Sequence, residues 1–348
     1  KQGTKLYGDY LTAGSIVIDE KTTINGQVWP LNFSRTYSGT QTMRSAMVNS
    51  LNTCAVKIWL QVGKDYSVEM LKKFGITTLV EEGDANDLNA SALALGGMTK
   101  GTTTLEMASA FSTFPNNGVR YDTSSFTKVV DKQGNVILEN KPKEHKVLDE
   151  GVAWIMADML SSVVNSAAAN YAQISGVFVG GKTGTTNDAF DDWFNGFTPT
   201  YSASLWIGSD YGVSLSDHSI IATYMWGNIM RNINKVYDGS RAARPANVIS
   251  YNGEYYINGT QSGAKSVSDL KSREVEICEE SGYLATPDCK HKKTKTFDVF
   301  SEDEIPEYYC NIHNSNPEKY PISPEETLVE QKKDSSSSPS SPTTPSSP

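Results

Sequence analysis

The chain has 348 residues, with 31 basic and 40 acidic side chains and a net charge of -9. That acidity, with no basic stripe interleaved with aromatics, excludes a nucleic-acid surface, and no apolar run reaches the length of a membrane span. The length suits one large domain with an appendage or two modest ones, and a start at Lys1-Gln2-Gly3-Thr4-Lys5, without Met or a targeting segment, suggests a piece of something longer.

Residues 1–41 are rich in Gly, Thr, Ser and Asn with short apolar patches such as Ser15-Ile16-Val17-Ile18, which predicts loop with short strands. From Thr42, Met43, Ala46, Met47, Leu51, Cys54, Ala55, Ile58, Trp59 and Val62 recur at helical spacing until Gly63. The weak helix formers Asn49-Ser50-Leu51-Asn52-Thr53 divide this run into two helices, with Asn52 the expected N-cap of the second. Cys54 falls on the apolar face and reads as core.

A helix over about residues 68–74 closes at Gly75, and a glycine-punctuated loop covers residues 92–101. Thr103 and Glu106 form a capping box for a helix carrying Leu105, Ala108, Phe111 and Phe114, ended by Pro115-Asn116-Asn117-Gly118. Val129-Val130 and Val136-Ile137-Leu138 flank a turn and predict a hairpin, and a largely apolar helix covers about residues 150–164.

The run Val177-Phe178-Val179-Gly180-Gly181-Lys182-Thr183-Gly184-Thr185-Thr186 reads as a strand whose far end carries chemistry rather than core. Alternation puts Thr183 and Thr185 on one face and Lys182 and Gly184 on the other. Gly184 leaves room for a ligand backbone against the strand edge, where hydroxyls and an ammonium suit the carboxylate of an added peptide strand. Asp192 to Phe197, the turn Thr198-Pro199-Thr200 and residues 201–207 make a second hairpin, so three consecutive strands run antiparallel. Ala222, Met225, Trp226, Ile229, Met230 and Ile233 place an apolar stripe on a covering helix.

The expected fold is mixed α/β (α+β), an antiparallel sheet with helices on both faces, over residues 1–247. A β-rich, cysteine-containing extension occupies 248–317, and a Pro/Ser-rich tail, 318–348, lacks the apolar surface to fold. Within the extension Cys278, Cys289, Cys310 and His313 offer zinc ligands, but without paired Cys-x-x-Cys knuckles. A Cys278–Cys289 disulfide is therefore preferred, with no metal assigned, although it leaves Cys310 unexplained.

Three segments, in order, resemble the transpeptidase domain of class A penicillin-binding proteins, of the penicillin-binding/serine β-lactamase-like fold. They are Ser50-Leu51-Asn52-Thr53; Leu95-Gly96-Gly97-Met98-Thr99-Lys100-Gly101 with Thr104-Leu105-Glu106-Met107-Ala108; and Gly181-Lys182-Thr183-Gly184-Thr185-Thr186-Asn187 followed by Asp192-Trp193-Phe194. The resemblance covers about residues 12–235 and implies peptidoglycan D,D-transpeptidation. Stem peptides of a lipid-linked precursor polymer would be cross-linked through an acyl-enzyme, without a cofactor and with β-lactams as inhibitors. It implies that Ser50 relays a proton to the leaving D-Ala nitrogen, Asn52 holds the donor peptide amide, and Lys182 stays cationic near the terminal carboxylate. Thr183 and Thr185 would bind that carboxylate on either side of Gly184, with the Thr185 N–H as one oxyanion-hole donor.

The family's nucleophile lies in a Ser-x-x-Lys tetrad ahead of the Ser-x-Asn motif, and no such tetrad precedes Ser50 here. Ser125-Phe126-Thr127-Lys128 leads into a hairpin, while Ser262-Gly263-Ala264-Lys265 and Ser268-Asp269-Leu270-Lys271 follow the Lys-Thr-Gly strand, so all three are out of order. The nucleophile is expected upstream of Lys1, with the glycosyltransferase domain and the membrane anchor that hold the family on the extracellular face of the bacterial cytoplasmic membrane. The polypeptide alone would then be inactive. Two readings stay open beside this one: a β-lactamase-like serine hydrolase, and a catalytically inactive peptidoglycan-binding module.

Overall fold

The computed structural model describes residues 11–24, 27–167, 169–209, 211–215, 220–233, 239–261, 271–299 and 308–322. Contacts divide the chain into two units, Lys1–Lys265 and Ser266–Pro348. The first unit begins β1 (Ile16–Asp19), β2 (Thr23–Ile24), β3 (Gln27–Val28), β4 (Gly39–Thr42), α1 (Met43–Val48), α2 (Asn52–Val62), α3 (Lys64–Lys73), α4 (Ala90–Leu93) and α5 (Thr104–Ser112). It continues with β5 (Val119–Tyr121), β6 (Lys128–Val130), β7 (Val136–Glu139), β8 (Glu144–Lys146), α6 (Glu150–Val164), β9 (Gly180–Thr185), β10 (Asp191–Phe197), β11 (Ser202–Gly208), α7 (Ile221–Ile233), β12 (Val248–Tyr251) and β13 (Glu254–Ile257).

The central sheet has the order β11-β10-β9, antiparallel throughout, with Phe194 opposite Thr183 and Asn195 opposite Lys182. Alternation sends Phe194 to one face, where it packs with Trp226 and Met230 of α7, and Phe197 to the other, where it meets Ala157 and Leu160 of α6 and Phe111 near the end of α5. Helices therefore cover both faces, as the sequence predicts. Burying Phe194 and Phe197 contributes about 1.5–3 kcal/mol each. Two glycines make that packing possible: a Cβ on Gly180 would lie 2.4 Å from the Phe197 ring, and one on Gly181 would lie 2.5 Å from the Phe194 ring.

Several boundaries differ from the sequence expectation for local reasons. The strand begins at Gly180, not Val177, because Val177 and Val179 pack into the core beside Val163 and Val164 before pairing starts. Helix α3 starts at Lys64, ahead of its first buried apolar residue Val68, with Asp65 in its first turn and Lys72 and Lys73 in its last, each suited to the helix dipole. Hairpin β12–β13 falls in the first unit rather than in the extension. Val248, Tyr255 and Ile257 pack against Trp154 and Ile155 of α6, and Gly151 lets the hairpin approach so closely that a Cβ would lie 2.6 Å from Ile257.

An ion cluster ties the same helix to α1. Arg44 lies 2.6 Å from Asp158 and 2.5 Å from Glu254, while Arg241 lies 2.5 Å from Asp158 and stacks 3.3 Å over the Trp154 ring. One carboxylate thus ties together α1, α6 and the chain entering the β12–β13 hairpin; without Asp158, Arg44 would keep its bonds to Glu254 and Ser162, while the half-buried Arg241, whose Nε already lacks a hydrogen-bond partner, would lose its ion pair.

Helix α5 carries the expected capping box between Thr103 and Glu106. Glu106 also accepts from the Thr77 N–H at 2.9 Å and from the Thr77 hydroxyl at 2.6 Å. Asp87 pins the glycine-punctuated loop by accepting from the Val80 N–H at 2.8 Å and from the Thr99 N–H at 2.6 Å. Burial by itself would raise both carboxyls; hydrogen bonds from Thr77, Thr103 and Thr102 to Glu106, and from Val80 and Thr99 to Asp87, outweigh it and hold both below their ordinary values.

In the second unit β14 (Lys271–Cys278) and β15 (Lys292–Val299) form an antiparallel hairpin, and Tyr309 bridges to Leu284. The tail was expected to begin at residue 318, yet residues 318–322 belong to this packing: Tyr320 meets Tyr309 with ring centroids 5.1 Å apart, and the Tyr309 N–H donates to Pro321 O. The rest of the expected tail lies outside the described residues. Among the described residues, no helix is long and apolar enough to cross a membrane.

The depressed carboxyls fix a sign for the acid response. Their stabilising contribution is complete above the unfolded values, 4.5 for Glu106 and 3.8 for Asp87, and is lost as pH falls through the lower folded values. Urea midpoints should therefore drop between about pH 5 and pH 3, and Glu106→Gln should flatten part of that drop while lowering the midpoint at neutral pH. An unchanged pH slope in the variant would show that Glu106 does not carry it.

Candidate active site

Helix α1 ends in a Schellman turn. Asn49 is its C-cap, the Ser50 N–H donates to Met47 O at 3.1 Å, and the Leu51 N–H reaches back to Ala46 O at 3.0 Å. The residue just past the cap in such a turn adopts the left-handed conformation and is usually glycine, yet here it is Ser50, at φ 52. The turn leaves the serine exposed between α1 and α2 at a cost of about 1–2 kcal/mol for a side chain in that region.

The hydroxyl so placed receives a hydrogen bond from Lys182 Nζ at 2.9 Å. Lys182 comes from β9, an outer strand of its sheet, and its ammonium also donates to Thr183 O at 3.1 Å and approaches Thr183 Oγ1 at 3.4 Å. Among the described residues no carboxylate forms an ion pair with Lys182. Burial pushes its ammonium down to about 8. The sequence expectation of a firmly cationic lysine is thereby qualified, because burial makes this ammonium hold its proton less tightly than an ordinary lysine.

Of the other predicted residues, Asn52 does not act as an N-cap. It is the first residue of α2, Leu51 holds the cap position without a side-chain bond, and the Asn52 amide donates to Leu31 O at 2.9 Å. Gly184 and Thr185 continue β9 beyond Thr183. In contrast to Gly180 and Gly181, Gly184 is not demanded by packing, since a Cβ there would meet Trp193 Cβ at an ordinary 3.5 Å. As an outer strand, β9 turns alternate backbone groups away from β10, which suits strand addition by an extended peptide. Ser125 and Lys128 lie where the β6–β7 hairpin begins, and the tetrads starting at Ser262 and Ser268 fall wholly or mostly outside the described residues.

Sequence reasoning missed what holds the break in place. Asp19, buried at the end of β1, accepts from Asn32 Nδ2 and from the Ser38 N–H, each at 2.7 Å, and from the Thr53 hydroxyl. Asn32 Oδ1 in turn accepts from the Thr53 N–H at 3.3 Å, serving from a distance as the cap that Leu51 lacks. The only local hint is an acid closing an apolar strand; its partners are far away in the sequence.

The cysteine segment departs from expectation. The Cys278–Cys289 disulfide is not formed: all four cysteines are free thiols. Cys278, Cys289, Cys310 and His313 converge instead, and their donor atoms lie within 4.8 Å of one another. Pairing any two would leave a buried thiol and an imidazole facing the bond.

The model of the penicillin binding protein transpeptidase domain matches residues 11–209, and a second, the penicillin-binding protein 1A C-terminal domain, matches residues 273–315. The first spans more than half of the chain, which therefore belongs to the penicillin-binding protein transpeptidase family. Among its relatives, penicillin-binding protein 1A of Clostridium acetobutylicum is 35% identical over 258 residues, 73% of this chain and 31% of the relative. That of Neisseria meningitidis is 33% identical over 263 residues, 71% of this chain and 32% of the relative. The chain thus spans about a third of the length of these relatives. Among solved structures, penicillin-binding protein 1A from Haemophilus influenzae matches with a TM-score of 0.58 at 19% identity, covering 87% of this chain and 47% of that one. PonA1 from Mycobacterium tuberculosis matches with a TM-score of 0.59 at 22% identity, covering 70% and 68%. These likenesses establish the fold.

If Ser50 occupies a strained position for its hydroxyl, Ser50→Gly should raise the unfolding free energy by about 1 kcal/mol, read from urea denaturation, because glycine suits the left-handed turn. A loss of stability in that variant would mean that the Lys182 contact outweighs the backbone strain.

Proposed function

We propose that this chain supplies the substrate-recognition and proton-transfer groups of a peptidoglycan D,D-transpeptidase, which cross-links stem peptides through a serine-bound acyl-enzyme. The observation that carries the reading is the 2.9 Å contact between Lys182 Nζ and Ser50 Oγ, which joins the helix break to the strand edge. The family membership of residues 11–209 supports the reaction class.

In this reading the terminal carboxylate of a D-Ala-D-Ala stem peptide lies along β9, held by the Thr183 and Thr185 hydroxyls and the Lys182 charge, with its backbone over Gly184. Ser50 passes a proton to the leaving D-Ala nitrogen, and Lys182, with its lowered proton affinity, replenishes it. Asn52 holds the donor amide after releasing Leu31 O, and the Thr185 N–H donates to the oxyanion of the tetrahedral intermediate. β-Lactams would enter by the same contacts; a PonA1 structure at 22% identity and TM-score 0.56 is described in complex with penicillin V. The acylating serine belongs to a Ser-x-x-Lys tetrad, and none occurs ahead of Ser50 in these residues. We assign the working protein to the outer face of a bacterial cytoplasmic membrane, where a glycosyltransferase partner makes the lipid-linked polymer that it cross-links.

The test is labelling by a fluorescent penicillin, read on a denaturing gel. This polypeptide alone should give no labelled band. A longer version that includes a Ser-x-x-Lys tetrad should label, and Ser50→Ala or Lys182→Ala in it should slow acylation about 100-fold or more. Labelling of the shorter chain, or full-rate labelling of both variants, would overturn the assignment.

A further inference from the structure

We propose that Cys278, Cys289, Cys310 and His313 bind one zinc ion in a closed, tetrahedral structural site. The spacing is Cys-x10-Cys-x20-Cys-x2-His, so its last two members form a short knuckle that a search for Cys-x-x-Cys pairs passes over. The two strands of the hairpin and its return segment bring the four together. Cys278 ends β14, Cys289 lies in the turn before β15, and the segment after residue 308 carries Cys310 and His313.

The geometry suits a first-row d10 ion. His313 Nδ1 lies 3.6 Å from Cys278 Sγ and 3.5 Å from Cys310 Sγ. With Zn–S of about 2.3 Å and Zn–N of about 2.0–2.1 Å, the S···N edge of a tetrahedron is about 3.6 Å. All three sulfurs belong to buried residues, with Cys310 fully covered. Three thiolates and one imidazole complete the tetrahedron, which makes the site structural rather than catalytic.

The surroundings are those of a ligand shell. His313 Nδ1 faces the sulfurs while its Nε2 lies 3.4 Å from Glu280 Oε2, which places a carboxylate where metal-binding histidines commonly have their outer-shell partner. Backbone N–H groups point at sulfur twice, from His313 to Cys310 at 3.2 Å and from Thr286 to Cys289 at 3.3 Å, and such bonds stabilise thiolate. Binding releases the three thiol protons to solvent and moves no electrons, giving the site a net charge of about -1.

The unit also needs such a link. Among its described residues the buried hydrophobic cluster is the three cysteines with Ala285 packed against them, beside a buried Ile277, and a lone two-stranded hairpin is marginal in water. Small modules without an adequate apolar core rely on metals or disulfides for stability. All four ligands fall within the residues 273–315 matched to the penicillin-binding protein 1A C-terminal domain.

The test uses the whole chain, purified under reducing conditions without chelator. Elemental analysis should give one zinc per chain, and after chelation, titration with cobalt should produce the thiolate-to-metal charge-transfer and visible bands of a tetrahedral site. Cys54→Ser should retain the metal, Cys310→Ser should lose it, and His313→Cys, which offers four thiolates, should keep it where His313→Ala does not. A metal-free chain with no cobalt spectrum would overturn the assignment. So would an intact mass showing two hydrogens lost to a disulfide, or full stoichiometry in Cys310→Ser.

Discussion

The bond from Lys182 to Ser50 joins two pieces of chain separated by 132 positions, and the rest of the first unit can be understood as what keeps its two ends facing. On one side, a Schellman turn that would ordinarily use glycine projects a serine, and Asp19, Asn32 and Thr53 hold the following helix so that the turn does not drift. On the other, β9 is held by pairing with β10 and by two glycines that let Phe194 and Phe197 pack against it, one on each face. The strain at Ser50 and the burial of an ammonium are both unfavourable in isolation. They persist because the surrounding network over-determines them.

The two units solve the stability problem differently. The first buries large side chains on both faces of a sheet and clamps α1 and α6 through Asp158, Arg44 and Arg241. The described residues of the second bury few apolar side chains and gather sulfur and imidazole. Core packing resists heat and denaturant through area, whereas a ligand cluster depends on redox state and metal supply, so the units should respond to different stresses.

Much of the fold was legible because its signals are local. The Thr103–Glu106 capping box, the break at Ser50 and the hairpin around Thr198-Pro199-Thr200 each arise from residues close in sequence and are found in place, whereas of the stripe expected on α7 Ala222, Trp226 and Met230 are buried but Met225, Ile229 and Ile233 are exposed. The pairing of Ser50 with Lys182 was legible only through motif order, since neither tripeptide specifies its partner. Less visible were Asp19, whose partners reach from the loop after β3 to α2, and the Arg44–Asp158–Glu254 cluster, in which Arg44 meets a carboxylate 210 positions away. Asn52 was misplaced because cap propensity was weighed locally, while the needed acceptor came from Asn32 and the Asn52 amide went to Leu31 O. The disulfide expectation failed for a related reason: spacing lists pairs, but only the hairpin's return shows that four donors share one point.

The most direct measurement is the titration of Lys182 Nζ by NMR with isotope-labelled lysine side chains, assigned through Lys182→Arg. A half-buried ammonium whose closest partner is a serine hydroxyl should titrate at about 8. A Lys182 that titrates with the ordinary lysines, at about 10.4, would mean that it points into water and that the fold does not bring the two motifs together.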